Sequence, residues 1–441
     1  MAAVKPFGLV FFPAFDWAIT PTHPEREERL LFTRDQIVEE GLLDIPGIRE
    51  YKPRLAAVRD ADRVHIGVPA ISAHITDAHL VSAGGAITAA EAVLKGEVAR
   101  AFALVRPPGH HAMRVVHGTR GFCTINIEAV MVEYLRRHHG LKRVAIVDTD
   151  VHHGDGTQDI FYHDPDTLFI SFHQDGRTLY PGSGFTDEAG SPPALGTTLN
   201  LPLPPGTTDE GLHYVLDNLI LPVLADFKPD FVINSAGQDN HYSDPLANMA
   251  ITAQGYASLA AKLKADVAVL EGGYSIEDAL PYVNTGIILA MAGLDYSRVV
   301  EPDIDQAPRG LSDKYRAYLR ELVARQGELW QNRERLSREA VAKAGDFWTR
   351  RRGIYYDDSG ISEQQAERLR LCPRCQGYWT VATEAEGPGS RYQSAFAASL
   401  PRGACPQCRR EAQDAVLAAK RQGQYQHYII QDKDNDSLER V

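Results

Sequence analysis

The sequence predicts an α/β fold, a parallel sheet flanked by helices, and three observations carry that prediction. Short apolar runs read as strands, the clearest being Ala101–Val105, Val144–Val151, Thr167–Phe172, Phe231–Ser235 and Val267–Leu270. Helix-like segments lie between such runs: Ser82–Leu94, Glu128–His138, Asp209–Leu224 and Ala253–Lys264. Buried apolar strands separated by helices are the pattern of a parallel sheet. Polar clusters then follow the strands directly, where such sheets place their ligands.

At 441 residues the chain exceeds the size at which one core usually stops growing, so more than one domain is expected. A hydrophobic fraction of 44% and a charged fraction of 24% are ordinary for a globular protein. The net charge of −12 argues against a surface that binds nucleic acid or anionic lipid as a whole. The segment Phe7 to Phe15 is apolar but interrupted by Pro13 and lacks a cleavage site, so it reads as a first strand and loop, not a signal peptide. No run is long enough to span a membrane. Four of the five cysteines form two pairs near the C-terminus, a metal clip of a reducing compartment, which points to the cytoplasm. These features divide the chain into a main domain over 1–300, a helical linker or arm over 301–371 and a small tail over 372–441. Within the arm, 309–371 reads as one or two helices from the spacing of Leu311, Tyr315, Leu319 and Leu322 and the Glu/Arg richness beyond Gln326. Such an arm is either a solvated, salt-bridged helix or a homo-oligomer contact.

The densest chemical signal is the segment from Val147 to Gln158. Asp148, Asp150 and His152 alternate by two, so a strand would send all three to one face. Two carboxylates there are costly to bury without a cation, and Asp oxygen with His nitrogen suits Zn²⁺ or a similar ion. Gly154 and Gly156 would let the chain turn beneath the site. A second cluster, Arg106 to Ala112, brings His110 and His111 off a Pro-Pro-Gly bend, suited to proton transfer. A third, Asn234 to Asp239, offers Asp239 as a further ligand beside Asp150 and His152, leaving open positions as a catalytic metal requires. A fourth, Glu271-Gly-Gly-Tyr274, supplies a phenol able to donate to an oxyanion.

These four motifs in this order resemble the histone deacetylase and acetylpolyamine amidohydrolase superfamily over roughly residues 7–295. The segment Thr22 to Leu30 is similar to its N-terminal signature, and Gly121 to Asn126 to the stretch after the tandem histidines. The resemblance implies the arginase–deacetylase fold over 1–300 and one catalytic Zn²⁺, or Fe²⁺ in some settings, on Asp150, His152 and Asp239. It implies His110 and His111 as the acid–base pair, Asp148 and Asp155 as their orienting carboxylates, and Tyr274 as the group polarising the scissile carbonyl. Gly121, Phe122 and Tyr180 would line a narrow acyl-lysine tunnel. A structural K⁺ is implied near Asp148, Asp150, His152, Ser171 and Phe172, held largely through carbonyls.

Substrate choice is read from one position. Polyamine-selective members carry an acidic gatekeeper shortly after the last metal aspartate; here that position is Leu246, as in the lysine-deacetylating class II branch. The expected substrate is therefore an acyl-lysine peptide or protein, with acetyl as the default acyl group. The Val68–His79 loop is expected to border the entrance, while His241 and Tyr242 either shape the rim or pack beneath it. Cys372, Cys375, Cys405 and Cys408 form two Cys-x₂-Cys knuckles 29 residues apart, a closed structural Zn²⁺ site of zinc-ribbon type with its loop at Glu386–Ser394. Cys123 reads as a buried wall residue. The competing readings are a small-molecule amide deacetylase on the same fold and a catalytically idle acyl-lysine-binding module. A ureohydrolase is disfavoured because its two-metal aspartate pattern is incomplete.

Overall fold

Each apolar run named above supplies a strand, and two strands not expected from the sequence, over 48–51 and 198–203, complete the sheet. In chain order the strands are β1 (Phe7–Phe12), β2 (Ile48–Tyr51), β3 (Arg100–Val105), β4 (Val144–Asp148), β5 (Thr167–Gln174), β6 (Thr198–Leu203), β7 (Phe231–Ala236) and β8 (Val267–Leu270). They pair in the order β2-β1-β3-β8-β7-β4-β5-β6, each pairing parallel. The computed structural model describes residues 6–14 and 16–441; Met1–Lys5 and Phe15, part of the predicted first strand and loop, lie outside the described residues.

Both faces of the sheet are covered, which is why its strands lack polar alternation. Successive side chains enter opposite cores: Leu9, Phe102 and Val147 pack on one side, Val10, Ala103 and Ile146 on the other. The first core is closed by α1 (Glu28–Glu39), a helix over 209–227 with a π-turn at Leu216–Ile220 (α5), α6 (Ala253–Leu263) and α7 (Leu280–Ala292). The second is closed by α2 (Asp77–Leu94) and α3 (Ile127–His139), with α4 (Asp155–Phe161) behind the site. Asn126 starts α3 by accepting the Ala129 N–H at 2.8 Å.

The region after 300 departs from expectation in part. A helix, α8 (Asp313–Ala344), is present, capped by Ser312, but it is not a free arm. Leu319, Leu322 and Trp330 are buried in the first core, and the Trp330 indole donates to Asp226 at 2.9 Å. The apolar stripe that suggested a dimer contact is thus used within the chain. Residues 347–370, expected to be helical, are instead β9 (Phe347–Tyr356) and β10 (Ile361–Arg370). With β11 (Trp379–Gly387), β12 (Arg391–Leu400), β13 (His427–Asp432) and β14 (Ser437–Arg440) they form a six-stranded sheet, antiparallel except for β12 beside β13. The period-two signal was masked because the inward residues of β10 are Glu363, Gln365 and Glu367. All three are buried, and charge of that density reads as a solvated helix. Their partners lie on neighbouring strands and, for Glu363, in the α/β domain: Glu363 accepts from Tyr356 and lies 3.5 Å from His117, while Glu367 accepts from Trp379 and pairs with Arg350 and Arg352. The module therefore begins near 347, not at 372. The presumed loop at Glu386–Ser394 is a tight β11–β12 hairpin turning at Pro388–Ser390. Helix α9 (Pro406–Gln422) covers one face.

This module is fixed to the α/β domain by buried charge. Glu133 of α3, 1% exposed, meets Arg402 at 2.7 Å, Lys433 at 3.4 Å and Arg136 at 3.3 Å, beside a cavity of about 410 Å³ between the two parts. Burial opposes its charge, but the three cations override it and hold the carboxyl well below the usual range. Such a group stabilises the fold above the ordinary carboxylate range and loses that effect only as pH falls through its depressed folded value. Removing the charge leaves Arg402 and Lys433 without a carboxylate partner, while Arg136 keeps Asp164. Glu133→Gln is expected to cost about 3 kcal/mol at pH 7, read as a lower urea midpoint with the difference vanishing in strong acid; an unchanged midpoint would show the contact to be idle.

Candidate active site

Four central strands, adjacent in the order β3-β8-β7-β4, end on one side of the sheet, and each is followed by one of the polar clusters. The three residues expected to share a strand face do not do so. β4 stops at Asp148, and Asp150 and His152 lie in the loop beyond it. That loop nonetheless brings them to Asp239, which follows β7. One ligand atom from each of Asp150, His152 and Asp239 lies within 4.8 Å of the others. His152 Nδ1 is 3.1 Å from Asp150 Oδ1 and 3.1 Å from Asp239 Oδ2.

The donor set fits a divalent cation. Among the described residues no lysine or arginine pairs with Asp150 or Asp239, although both are fully buried. Burial opposes charge on Asp150, but His110 and His152 override it and hold the group below the carboxylate range. Burial and the Asp150 charge then push Asp239 up to about 6. Two carboxylates that hinder each other's ionisation, with an imidazole between, are what a shared cation relieves. Space is made by glycine. A Cβ on Gly237 would lie 2.0 Å from Asp150 Oδ2, and one on Gly272 would lie 2.3 Å from Asp239 Oδ2. Gly154 and Gly156 serve the same end and not a left-handed turn: Gly154 has φ −70°, and its Cβ would strike Asp148 Oδ2.

The tandem histidines each meet a carboxylate. His110 Nδ1 donates to Asp148 Oδ2 at 3.1 Å, and His111 Nδ1 donates to Asp155 Oδ1 at 2.8 Å. Asp155 also accepts from Arg120 at 2.5 Å. Burial opposes protonation of His110, but Asp150 and Asp148 raise its ring to about 10. Burial and the neighbouring His110 charge lower His111 to about 3. One ring is thus held as a proton donor beside another held neutral. Glu271 fixes the segment, accepting the Gly109 and His110 N–H groups at 2.9 and 3.0 Å. Tyr274 is 8% exposed, and burial raises its phenol well above the ordinary value, so it remains a donor.

A cavity of about 280 Å³ opens on these groups, with His110, His111, His152, Gly272 and Tyr274 at its floor and Gly121, Phe122, Leu179, Tyr180 and Leu246 among its lining. Tyr180 stands edge-on to His111 at 5.1 Å and Phe122 edge-on to Tyr274 at 5.6 Å. Gly121 must be glycine: its φ is +50°, and a Cβ would lie 2.5 Å from the His111 ring. Asp148 and Ser171 face each other across β4 and β5, with Phe172 next along β5. His241 and Tyr242 pack beneath the rim. His241 lies 3.3 Å from Glu301, fully buried, and the Tyr242 hydroxyl donates to Pro302 O. Cys123 is fully buried outside the lining, with its thiol raised well above the usual value by burial.

The supporting residues were the least legible. Arg29 sits 4.9 Å from the Tyr274 ring centre and donates to the Gly273 and Glu271 carbonyls, while pairing with Glu25, which Arg106 also holds. The Thr22–Leu30 segment contained this pair without revealing its target. The expected Val68–His79 border is absent from the cavity lining; Asp357 of the C-terminal module is there instead.

The histone deacetylase domain profile matches residues 65–291, about half of the chain. A probable deacetylase of Archaeoglobus fulgidus is 47% identical over 311 residues, covering 64% of this chain and 85% of that protein. The chain belongs to the histone deacetylase family. Histone deacetylase 14 of Arabidopsis thaliana, a chloroplastic protein, is 48% identical over 185 residues, 40% of this chain and 43% of that one. The crystal structure of the HDA15 HD domain superposes with a TM-score of 0.65 at 27% identity, covering 77% of this chain and 99% of that one. The family is one of deacetylating amide hydrolases and implies a metal, which the Asp150–His152–Asp239 group suits. No helix among the described residues is long and apolar enough to cross a membrane.

The four C-terminal cysteines also converge, with sulfurs within 4.8 Å of one another. Cys372 and Cys405 are 3.9 Å apart and Cys375 and Cys408 3.6 Å, too far for disulfides. A tetrahedral Zn²⁺ with bonds of about 2.3 Å separates its sulfurs by about 3.8 Å. The cluster is compatible with a zinc ribbon.

The glycine at 272 gives a direct check. Gly272→Ala should weaken metal binding about tenfold or more, because the new methyl displaces Asp239 and Asp150; titration of metal-stripped protein followed by calorimetry reads it, and wild-type affinity would refute the assigned ligand pocket.

Proposed function

We propose that this family member is a zinc-dependent deacylase that removes acetyl or related acyl groups from lysine side chains of peptides or proteins. The observation that carries the reading is one narrow cavity that joins the Asp150–His152–Asp239 group, the two histidine–carboxylate pairs and Tyr274 at its floor. Leu246 lines this cavity where polyamine-selective relatives carry an acid, which supports an apolar lysine stem over a polyamine.

A Zn²⁺ (or Fe²⁺) on Asp150, His152 and Asp239 would supply Lewis-acid activation of the carbonyl and of water. His111 is positioned to take the proton of the attacking water, since its carboxylate partner Asp155 is already neutralised by Arg120. His110, between Asp148 and Asp150, is positioned to give a proton to the departing amine. Tyr274 donates its phenol to the oxygen on which negative charge develops. Phe122 and Tyr180 hold the stem of the acyl-lysine and exclude water. The K⁺ near Asp148, Asp150, His152, Ser171 and Phe172 belongs to the same reading, as does a structural Zn²⁺ on Cys372, Cys375, Cys405 and Cys408. The protein acts on free peptide or protein in the cytoplasm, without nucleic acid or membrane as partner.

Amine release from acyl-lysine peptides and acetylpolyamines, measured with Zn-loaded protein, tests this. Lysine peptides are expected to turn over, with kcat/KM lowered at least about 100-fold in His111→Ala and in Tyr274→Phe. Turnover confined to polyamines would refute the substrate class, and acyl-peptide binding without turnover would favour the idle binding module. Metal analysis should find two Zn per chain and one in a Cys372→Ser, Cys405→Ser double variant. That variant should also melt at a lower temperature, because a closed thiolate site contributes folding energy; two Zn retained would place the second ion elsewhere.

A further inference from the structure

The turn between β9 and β10 reaches back across the molecule to the mouth of the cavity. Asp357 Oδ1 accepts the Gly121 N–H at 3.0 Å and the Tyr180 hydroxyl at 3.2 Å, and Asp358 Oδ2 accepts the Phe122 N–H at 2.7 Å. Ser359 accepts the Thr119 N–H at 2.9 Å, and Arg120 donates to Tyr355 O at 2.6 Å. The two residues so held are conformationally unusual. Gly121 has φ +50° and Phe122 φ +69°, and the left-handed region costs a side-chain-bearing residue about 1–2 kcal/mol. Consecutive left-handed residues aim their N–H groups to one side, and here two carboxylates receive them.

Asp357 is also the one carboxylate among the described residues lining the cavity, and it is exposed. Its Oδ1 is occupied twice by the wall, whereas its Oδ2 makes no hydrogen bond with the described residues. Leu179, Leu246, Phe122 and Tyr180 make the walls between it and the histidines of the floor, and none of them carries a charge.

We infer that the Asp357–Asp358 turn of the C-terminal module is a working part of the active site. Both carboxylates position the Gly121–Phe122 and Tyr180 walls, and Asp357 selects substrates that carry a positive charge close to the neutral acylated amine, such as acyl-lysine flanked by lysine or arginine. The substrate part rests on the lysine-deacylase reading above; the wall part does not.

Two readouts test the pair. Hydrogen exchange of the Gly121 and Phe122 amides should quicken in Asp357→Ala and Asp358→Ala and stay near wild type in Asp357→Asn, which keeps an acceptor. Wild type should prefer an acetyl-lysine peptide flanked by lysines over one flanked by glutamates by about threefold or more at low salt, less at high salt. Asp357→Asn should level that preference, with the loss larger in KM than in kcat. Unchanged exchange in both alanine variants would overturn the wall role, and an unchanged preference in Asp357→Asn would overturn the selective one. Should no lysine peptide turn over in wild type, the deacylase reading and the substrate part fail together, while exchange still decides the wall.

Discussion

Asp150 and Asp239 lie buried together, with His152 between them and no lysine or arginine paired with either among the described residues. Much of the surrounding architecture follows from holding that arrangement. Charge of this kind is tolerated in an interior only when a cation and well-placed donors compensate it. The donors are backbone: the Gly272 N–H reaches Asp150 at 2.7 Å, and the Val151 N–H reaches Asp239 at 2.8 Å. Both need the chain to approach closely, and Gly237 and Gly272 are glycines because a methyl there would occupy the carboxylates' space.

Around this centre lies a shell whose charges are paired off one by one. Arg120 neutralises Asp155 beside His111, while Asp148 is left to His110 alone. The two adjacent rings therefore meet different fields, though they share a sequence motif. Further out, Glu25 couples Arg29 to Arg106, tying the segment before α1 to the end of β3 and to the glycine turn carrying Tyr274. Rigid placement of a phenol and two imidazoles is what differential stabilisation of a transition state demands.

The C-terminal module reads differently once seen as part of the same object. Its sheet is locked to the α/β domain by Glu133 on one side, and its β9–β10 turn touches the cavity mouth on the other. The cysteine cluster lies within that module, so a metal clip would stiffen a body with contacts both to the core and to the mouth. The profile match ends at 291, so this contribution comes from residues beyond the matched segment.

The sequence by itself determined the fold class, the strands from apolar runs, and the four polar clusters with Asp150, His152, Asp239, His110, His111 and Tyr274 in them. Those signals are local: a strand covered on both faces is apolar over most of its length, and chemistry-bearing residues gather where such runs end. It misjudged 347–370, because buried Glu363, Gln365 and Glu367 are polar groups whose partners lie on other strands, and local pattern cannot register them. Only the tertiary structure decided that β3, β8, β7 and β4 stand side by side, since strand order depends on crossovers and not on composition. Only it showed Arg29 beneath Tyr274, Arg120 on Asp155, and Asp357 at the mouth. Each of these pairs residues remote in sequence, and a contact of that kind exists only once the chain has folded.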